Sequence, residues 1–223
     1  MPAAPVQIPL WLDMSAVVVA ALGGGFVAAR ANFDLTGVFG LAIVTGLGGG
    51  LLRDLLLNQL PVALKSPWYL VAATAAAAVA ALLAHRAYER LFPLVLLDAA
   101  ALGLYGMSGA NKALINGLGV WPALFIGLIA ATGGGVLRDV LTAKPPSIFL
   151  RGELYATAAL VGLVAYTVGY KAGFDDSLIA VVGAAVTFAV RIASWRFGWS
   201  LPGPVDVPGA VRGRLRSPDD PDR

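Results

Sequence analysis

Seven long apolar stretches, joined by short connections, run through the 223 residues of this chain. A helix that crosses a bilayer needs about 20 mainly apolar residues, and each stretch approaches or reaches that length. Only 13% of the residues are charged, whereas a soluble domain carries about 25% to keep its surface hydrated. The sequence therefore predicts an all-α membrane protein with seven transmembrane helices. The expected spans are residues 12–29, 35–57, 68–84, 93–110, 120–141, 154–170 and 178–193.

Basic residues are distributed unevenly between the two sides that these spans define. One side holds Arg30, Arg86, Arg90, Lys144, Arg151, Arg191, Arg196, Arg212, Arg214, Arg216 and Arg223, and the other holds Lys65, Lys112 and Lys171. Because cytoplasmic loops carry the excess of Lys and Arg, we expect a multi-pass protein of the inner (plasma) membrane with its N-terminus outside and its C-terminus cytoplasmic. Beyond the transmembrane domain of residues 1–193, residues 194–223 are predicted to form a disordered cytoplasmic tail.

An internal repeat divides the apolar region. The segment of residues 48–54, Gly-Gly-Gly-Leu-Leu-Arg-Asp, recurs at residues 133–139 as Gly-Gly-Gly-Val-Leu-Arg-Asp. At the same offset of 85 residues, Asp13 matches Asp98 and Pro61 matches Pro146. Each repeat holds three spans, an odd number, so the second copy enters the membrane from the opposite side. We expect two inverted repeats, residues 10–92 and 93–177, followed by a seventh helix at 178–193.

The two glycine triplets lie inside the second and fifth spans. They are Gly48, Gly49 and Gly50 in the first repeat and Gly133, Gly134 and Gly135 in the second. Each glycine costs a helix about 1 kcal/mol relative to alanine, so the triplets either break the spans beside an aqueous path or allow close helix packing. The charged pairs that follow them favour the break. The inverted symmetry predicts that the triplets meet, and a break leaves carbonyls for a cation or a half-helix N-terminus for an anion.

Each triplet is followed by an arginine and an aspartate within the span. Arg53 and Asp54 follow the first triplet, and Arg138 and Asp139 follow the second. Ionisable residues within a span normally face the bundle interior or an aqueous path. Because consecutive residues do not face each other on a helix, we expect each pair to engage other helices rather than itself. Pairing between repeats, Arg53 with Asp139 and Arg138 with Asp54, is one hypothesis that the symmetry permits. The alternative is that both pairs extend toward the headgroups at the span ends.

Three further charged residues are candidates for the same path. Asp98 stands inside an apolar stretch, which predicts an inward-facing carboxylate. Asp13 is either its counterpart or an interfacial acid at a helix N-terminus, where the helix dipole favours it. Lys112 either lines the path or caps the outer end of the fourth span.

The doubled Gly-Gly-Gly-x-x-Arg-Asp in spans two and five resembles the prokaryotic TRIC (trimeric intracellular cation) channel family. The resemblance covers about residues 10–193 and implies a homotrimer in which each protomer holds its own pore. It implies conduction of monovalent cations, K⁺ in particular, with K⁺ or Na⁺ as the permeant ion and no cofactor. The family's hinge and pore residues map onto the two glycine triplets, and Arg53, Asp54, Arg138 and Asp139 complete the motif. Membrane lipids are the other expected partners, and nucleic acid is not one.

Other function classes fit the sequence less well. Inverted repeats with broken helices also occur in secondary transporters, so transport of a small amino acid such as glycine is the alternative function. An enzyme is not expected, because the chain has one histidine, His85, and no cysteine, which leaves no catalytic triad and no His-rich or Cys-rich metal site. The pattern at Gly23–Ala28 formally fits a dinucleotide motif but lies in an apolar span without a preceding strand.

Overall fold

The computed structural model describes residues 10–83, 92–150 and 154–200, and these are largely helical. The helices are α1 (Leu10–Arg30), α2 (Leu35–Leu56), α3 (Val62–Lys65), α4 (Pro67–Leu82), α5 (Phe92–Ile115), α6 (Val120–Leu141), α7 (Ala156–Lys171) and α8 (Asp176–Phe197), with a 3₁₀ turn at Ser147–Phe149. The prediction of an all-helical membrane protein is confirmed for these residues. Every predicted span coincides with a long helix, and the short α3 is an addition that the apolar pattern did not predict.

Five of the helices, α1, α2, α5, α6 and α8, are long and apolar enough to cross a membrane. The other two that coincide with predicted spans, α4 and α7, have 16 residues each. Large apolar side chains are exposed on their outer faces, among them Val71 and Val79 on α4 and Val164 and Val168 on α7. Exposed apolar surface of this kind is what a lipid environment covers.

The repeat is visible in the backbone as well as in the sequence. Helices α2 and α6 have 22 residues each and begin and end 85 positions apart. Left-handed backbone recurs at the same offset: Asn32 and Gly117 have φ of 57° and 77°, and Asn58 and Ala143 have φ of 53° and 55°. Residues other than Asn, Asp and Gly rarely adopt this backbone conformation. The left-handed backbone at Ala143 therefore reflects the duplicated turn rather than the preference of alanine.

Each repeat forms its own small bundle, and the two bundles join through a central pair of helices. In the first, α1, α2 and α4 pack together; in the second, α5, α6 and α7 do so, and α8 packs on α5 and α7. Between the repeats, α2 packs against α6 and α1 against α5. The charged residues of the repeated motif therefore lie on α2 and α6, one of the two helix pairs that join the halves.

The glycine triplets do not break their helices, so the predicted breaks in spans two and five are wrong. Both α2 and α6 are helical without interruption through the triplets. The triplets meet face to face: a Cβ on Gly48 would lie 3.4 Å from Gly134 Cα, and one on Gly133 would lie 3.6 Å from Gly49 Cα. Close backbone packing of this kind offsets the low helix propensity of glycine. The packing alternative is the correct one.

The direction of this crossing follows from the contacts of Gly49 and Gly134. A Cβ on Gly49 would press on the carbonyl oxygen of Ala130, and one on Gly134 would press on that of Thr45. Gly49 follows Thr45 in α2, whereas its partner Ala130 precedes Gly134 in α6. The order of the contacts along one helix is therefore the reverse of their order along the other. The two helices are antiparallel where they cross, as inverted repeats require.

The last helix is longer than the predicted seventh span. Helix α8 reaches Phe197 and ends at Gly198, whose φ is +66°, so residues 194–197 are helical rather than part of the tail. Near this end of α8, the Ser194 hydroxyl accepts a hydrogen bond from Leu154 N at 2.7 Å. The predictions for His85, Arg86, Arg90, Arg151 and residues 201–223 lie outside the described residues.

Candidate functional site

A buried ion-pair cluster, here cluster one, surrounds Arg53 near the end of α2. Arg53 Nη1 donates to Asp13 Oδ1 at 2.8 Å, and Arg53 Nε donates to Asp54 Oδ1 at 2.7 Å. Ser108 on α5 joins them, since its hydroxyl accepts from Arg53 Nη1 and donates to Asp13 Oδ1, both at 2.6 Å. Arg53 and Asp54 are 1% and 0% exposed, so the guanidinium is buried among the helices rather than extended to the protein surface.

Two more side chains complete cluster one from other helices. Lys112 Nζ on α5 lies 2.6 Å from Asp54 Oδ1, and Tyr69 on α4 donates its hydroxyl to Asp13 Oδ2 at 2.9 Å. Two carboxylates and two cations therefore balance one another within a few ångströms. A buried charge is tolerated only when it is paired and hydrogen-bonded, which this arrangement provides for Arg53 and Asp54.

Cluster two repeats the core of this arrangement around Arg138. Arg138 Nη1 donates to Asp98 Oδ1 at 3.0 Å, and Arg138 Nε donates to Asp139 Oδ1 at 2.9 Å. Tyr155 donates to Asp98 Oδ1 at 3.3 Å, as Tyr69 does to Asp13. The guanidinium of Arg191 on α8 lies over the Tyr155 ring, 5.2 Å from its centroid.

The predicted pairing between repeats, Arg53 with Asp139 and Arg138 with Asp54, is wrong. Each arginine binds its own neighbouring aspartate and the aspartate at the start of its own repeat. Arg53 and Arg138 each stand four residues beyond the glycine contact, and the antiparallel crossing sends them about 6 Å in opposite directions. Consecutive Cβ atoms do point apart, but the long arginine side chain turns back so that Nε reaches the adjacent carboxylate.

The two clusters differ where α1 and α5 contribute side chains. At the offset of 85, the position of Ser108 corresponds to Gly23 and that of Lys112 to Val27. Cluster two thus has neither the bridging hydroxyl nor the ammonium of cluster one. Asp139 instead accepts from the Ser147 hydroxyl at 2.9 Å. The two ends of the crossing are therefore chemically unequal.

Cluster one forms the floor of the largest described cavity, here called the vestibule, which has a volume of about 370 Å³. Asp13, Arg53, Tyr69 and Lys112 line it together with Ser108 and Lys65. Gln59 and Asn116 also line it and join the two repeats, because Gln59 Nε2 donates to Asn116 Oδ1 at 2.5 Å. The vestibule presents carboxylate, ammonium and amide groups to whatever enters it.

The site contains residues that sequence reasoning missed. Tyr69 and Tyr155 bind the two N-terminal aspartates, and they lie 86 rather than 85 positions apart, so a search at one offset passes over them. Ser108 has no counterpart of its kind in the first repeat. The described residues 10–83, 92–150 and 154–200 bring no three His, Cys, Asp or Glu side chains into a group that could hold a metal ion.

The chain is similar to known proteins over most of its length. A family model described as a glycine transporter matches residues 10–85 and 95–171. The UPF0126 inner membrane protein YadS of Escherichia coli (strain K12) is 36% identical over 197 residues, which cover 86% of this chain and 94% of that protein. The TRIC trimeric intracellular cation channel orthologue from Rhodobacter sphaeroides has a TM-score of 0.80 and 35% identity, covering 84% of this chain and 97% of its own. A second structure, solved for the structural basis of conductance through TRIC cation channels, has a TM-score of 0.79 and 31% identity, covering 87% and 96%.

The fold and the doubled cluster define a class of multi-pass helical membrane proteins, built from two copies of a three-helix unit that cross at glycine triplets. Each copy carries a buried arginine between two aspartates. The chain belongs to the TRIC family, and its relatives include the UPF0126 membrane proteins.

Proposed function

We propose that this protein is a channel for monovalent cations, K⁺ in particular, that works as a homotrimer with one pore in each protomer. The observation that carries the proposal is the likeness to TRIC cation channels over 84% and 87% of the chain, at 35% and 31% identity. No cofactor is needed, because K⁺ or Na⁺ moves through the protein without chemical change. Membrane lipids surround the trimer, and nucleic acid has no part in this function.

The geometry supports a path inside one protomer rather than between subunits. Both repeats of a single chain supply the vestibule, which Arg53 of α2 and Lys112 of α5 line together. The glycine triplets bring α2 and α6 together, and Asp13 and Asp98 belong to the two clusters on either side of this crossing.

Transport of a small amino acid such as glycine is the second candidate. The family model that matches residues 10–85 and 95–171 carries the description of a glycine transporter. The vestibule also contains both charges that a zwitterion requires, a carboxylate on Asp13 and ammonium groups on Lys65 and Lys112. Inverted repeats with a central site are common among secondary transporters.

Flux measurements separate the two functions. Purified protein in proteoliposomes is expected to pass K⁺ down an imposed gradient, with no requirement for a H⁺ or Na⁺ gradient and no saturable uptake of labelled glycine. Protein-free liposomes and liposomes with heat-unfolded protein are the controls. The mass of the particle in mild detergent and in nanodiscs is expected to be that of a trimer. Coupled, saturable glycine uptake without K⁺ conductance would replace the channel by the transporter.

We also propose that the seven helices that coincide with the predicted spans all cross the inner membrane, with the N-terminus outside and the residues after the last helix, α8, in the cytoplasm. Helices α4 and α7 are shorter than the about 20 residues of a typical span, and local thinning of the bilayer accommodates such lengths. The excess of basic residues on one side supports this orientation.

Labelling of single cysteines tests the orientation, since the native chain contains none. Lys65 and Lys144 are both exposed and lie in connections assigned to opposite sides. In intact cells, an impermeant maleimide is expected to label the Lys65→Cys variant and to spare Lys144→Cys, which reacts only after the membrane is opened. The reverse pattern would invert the topology.

A further inference from the structure

Two small voids lie beside the glycine crossing, and the outer one adjoins the vestibule. The outer void has a volume of about 10 Å³ and is lined by Asp13, Gly50 and Tyr69, among others; Asp13 and Tyr69 also line the vestibule. The inner void has a volume of about 20 Å³ and lies beside Asp98 and Arg138 of cluster two. Each is about the size of a single water molecule. Together, the vestibule and the voids extend from cluster one toward cluster two.

Tyr105 separates the two voids. Among the described lining residues, it is the one that both voids share. The side chain is 3% exposed, and its ring lies against the first triplet: a Cβ on Gly49 would be 3.6 Å from Tyr105 Cγ, and one on Gly50 would be 3.7 Å from Tyr105 Cε1. The ring therefore stands between the chambers, at the level where α2 and α6 cross.

A hydrogen bond holds this ring in place. The Tyr105 hydroxyl donates to the carbonyl oxygen of Gly46 in α2, so the aromatic ring is fixed at both ends, by its backbone on α5 and by its hydroxyl on α2. Breaking the hydrogen bond of a buried hydroxyl costs free energy, because the hydroxyl is left without a partner. The ring therefore has one preferred position rather than several.

The repeat supplies an internal comparison. At the offset of 85, Tyr105 corresponds to Ala20 of α1, which lines the inner void. The first repeat thus places a methyl group where the second places a phenol.

We infer that Tyr105 is the constriction of the permeation path, the side chain that separates the chamber at cluster one from the chamber at cluster two. This inference rests on the proposed channel function. An ion that passes from Asp13 to Asp98 has to displace the ring, and the bond to Gly46 opposes that movement. Tyr105 therefore limits the rate of passage.

Three substitutions of Tyr105 test this role by K⁺ flux into proteoliposomes. Tyr105→Ala joins the two voids and is expected to raise flux severalfold, while Tyr105→Phe keeps the ring, loses the bond to Gly46 and gives a smaller rise. Tyr166→Phe is the matched control, because Tyr166 is also buried, its hydroxyl also has one partner, Asn111 Nδ2 at 2.9 Å, and it lines none of the described cavities. Its flux is expected to equal that of the parent.

The third substitution, Tyr105→Cys, works even if the alanine variant fails to fold. Ag⁺ resembles K⁺ in charge and size and reacts with a thiol, so externally added Ag⁺ is expected to modify this variant and block its flux. The Tyr166→Cys variant is expected to resist both. Unchanged flux in Tyr105→Ala together with an unreactive thiol in Tyr105→Cys, in a protein that conducts, would overturn the inference and leave the channel intact. A parent protein that passes no K⁺ would overturn the proposed function instead, and Ag⁺ modification, followed by mass spectrometry, would then decide whether the voids connect at Tyr105.

Discussion

Gly49→Ala and Gly134→Ala are expected to destabilise the protein and to abolish most of its cation flux, although alanine is the better helix former. The new Cβ would press on a backbone oxygen, Ala130 O for Gly49 and Thr45 O for Gly134, and a backbone atom in a helix cannot move aside. Helices α2 and α6 must then separate, which typically costs about 1–3 kcal/mol for an overpacked contact. Leucine at either position is expected to have the larger effect.

Gly40→Ala is the matched control for these variants. Gly40 lies in the same helix, α2, and no heavy atom lies within 4 Å of the Cβ that alanine would add. Gly40→Ala therefore changes only the helix propensity at this position, and the alanine is expected to stabilise the protein by about 0.5–1 kcal/mol. Thermal unfolding in detergent and K⁺ flux in proteoliposomes measure both sets. If Gly49→Ala behaves like Gly40→Ala in both measurements, the crossing is not as tight as described.

A double-mutant cycle on Arg53 and Asp13 is expected to show strong coupling. Arg53→Gln leaves Asp13 and Asp54 facing each other's charge with Lys112 alone as counterion. Breaking a buried pair in this way typically costs about 3–5 kcal/mol. Adding Asp13→Asn restores the charge balance, so the double variant is expected to be more stable than the sum of the two single effects predicts.

The control cycle uses Arg53 with Asp139, which lie in different clusters. Their effects are expected to add to within about 0.5 kcal/mol, because separated sites without shared partners are independent. Unfolding free energies in detergent, measured for all the single and double variants, give both coupling energies. A larger coupling for Arg53 with Asp139 than for Arg53 with Asp13 would reinstate the pairing between repeats.

The fold follows from the sequence to a large extent, because its signals are local and repeated. Apolar stretches locate the long helices, and one offset of 85 residues relates their turns, including Asn32 with Gly117. The meeting of the glycine triplets also follows from the odd number of spans in each repeat. The state of the backbone at the triplets does not, since propensity disfavours helix at Gly48–Gly50 and only the packing of α2 on α6 restores it.

The site is less predictable, because it depends on side-chain reach rather than on position. The repeated motif identifies Arg53, Asp54, Arg138 and Asp139. Helix geometry alone disfavours the bond between neighbours that each arginine makes, because the geometry takes no account of the length of the side chain. Cross-helix partners such as Ser108 and Tyr69 carry no motif. The position of Tyr105 cannot be predicted from the sequence either, because a single tyrosine in an apolar helix gives the same pattern whether it packs in a core or separates two voids.

The aspartates of the repeated motif also have a consequence for chain length. While one oxygen of Asp54 binds Arg53, the other accepts from Val62 N, eight residues later, at 2.9 Å; Asp139 and Ser147 N repeat this bond with the same spacing and distance. Each of these hydrogen bonds joins the two ends of its connection and closes a ring of fixed length, because the donor always stands eight residues after the aspartate. An inserted or deleted residue between Asp54 and Val62, or between Asp139 and Ser147, would open the ring and withdraw a ligand from a buried guanidinium. Length variation among relatives is therefore expected in other connections rather than in these two loops.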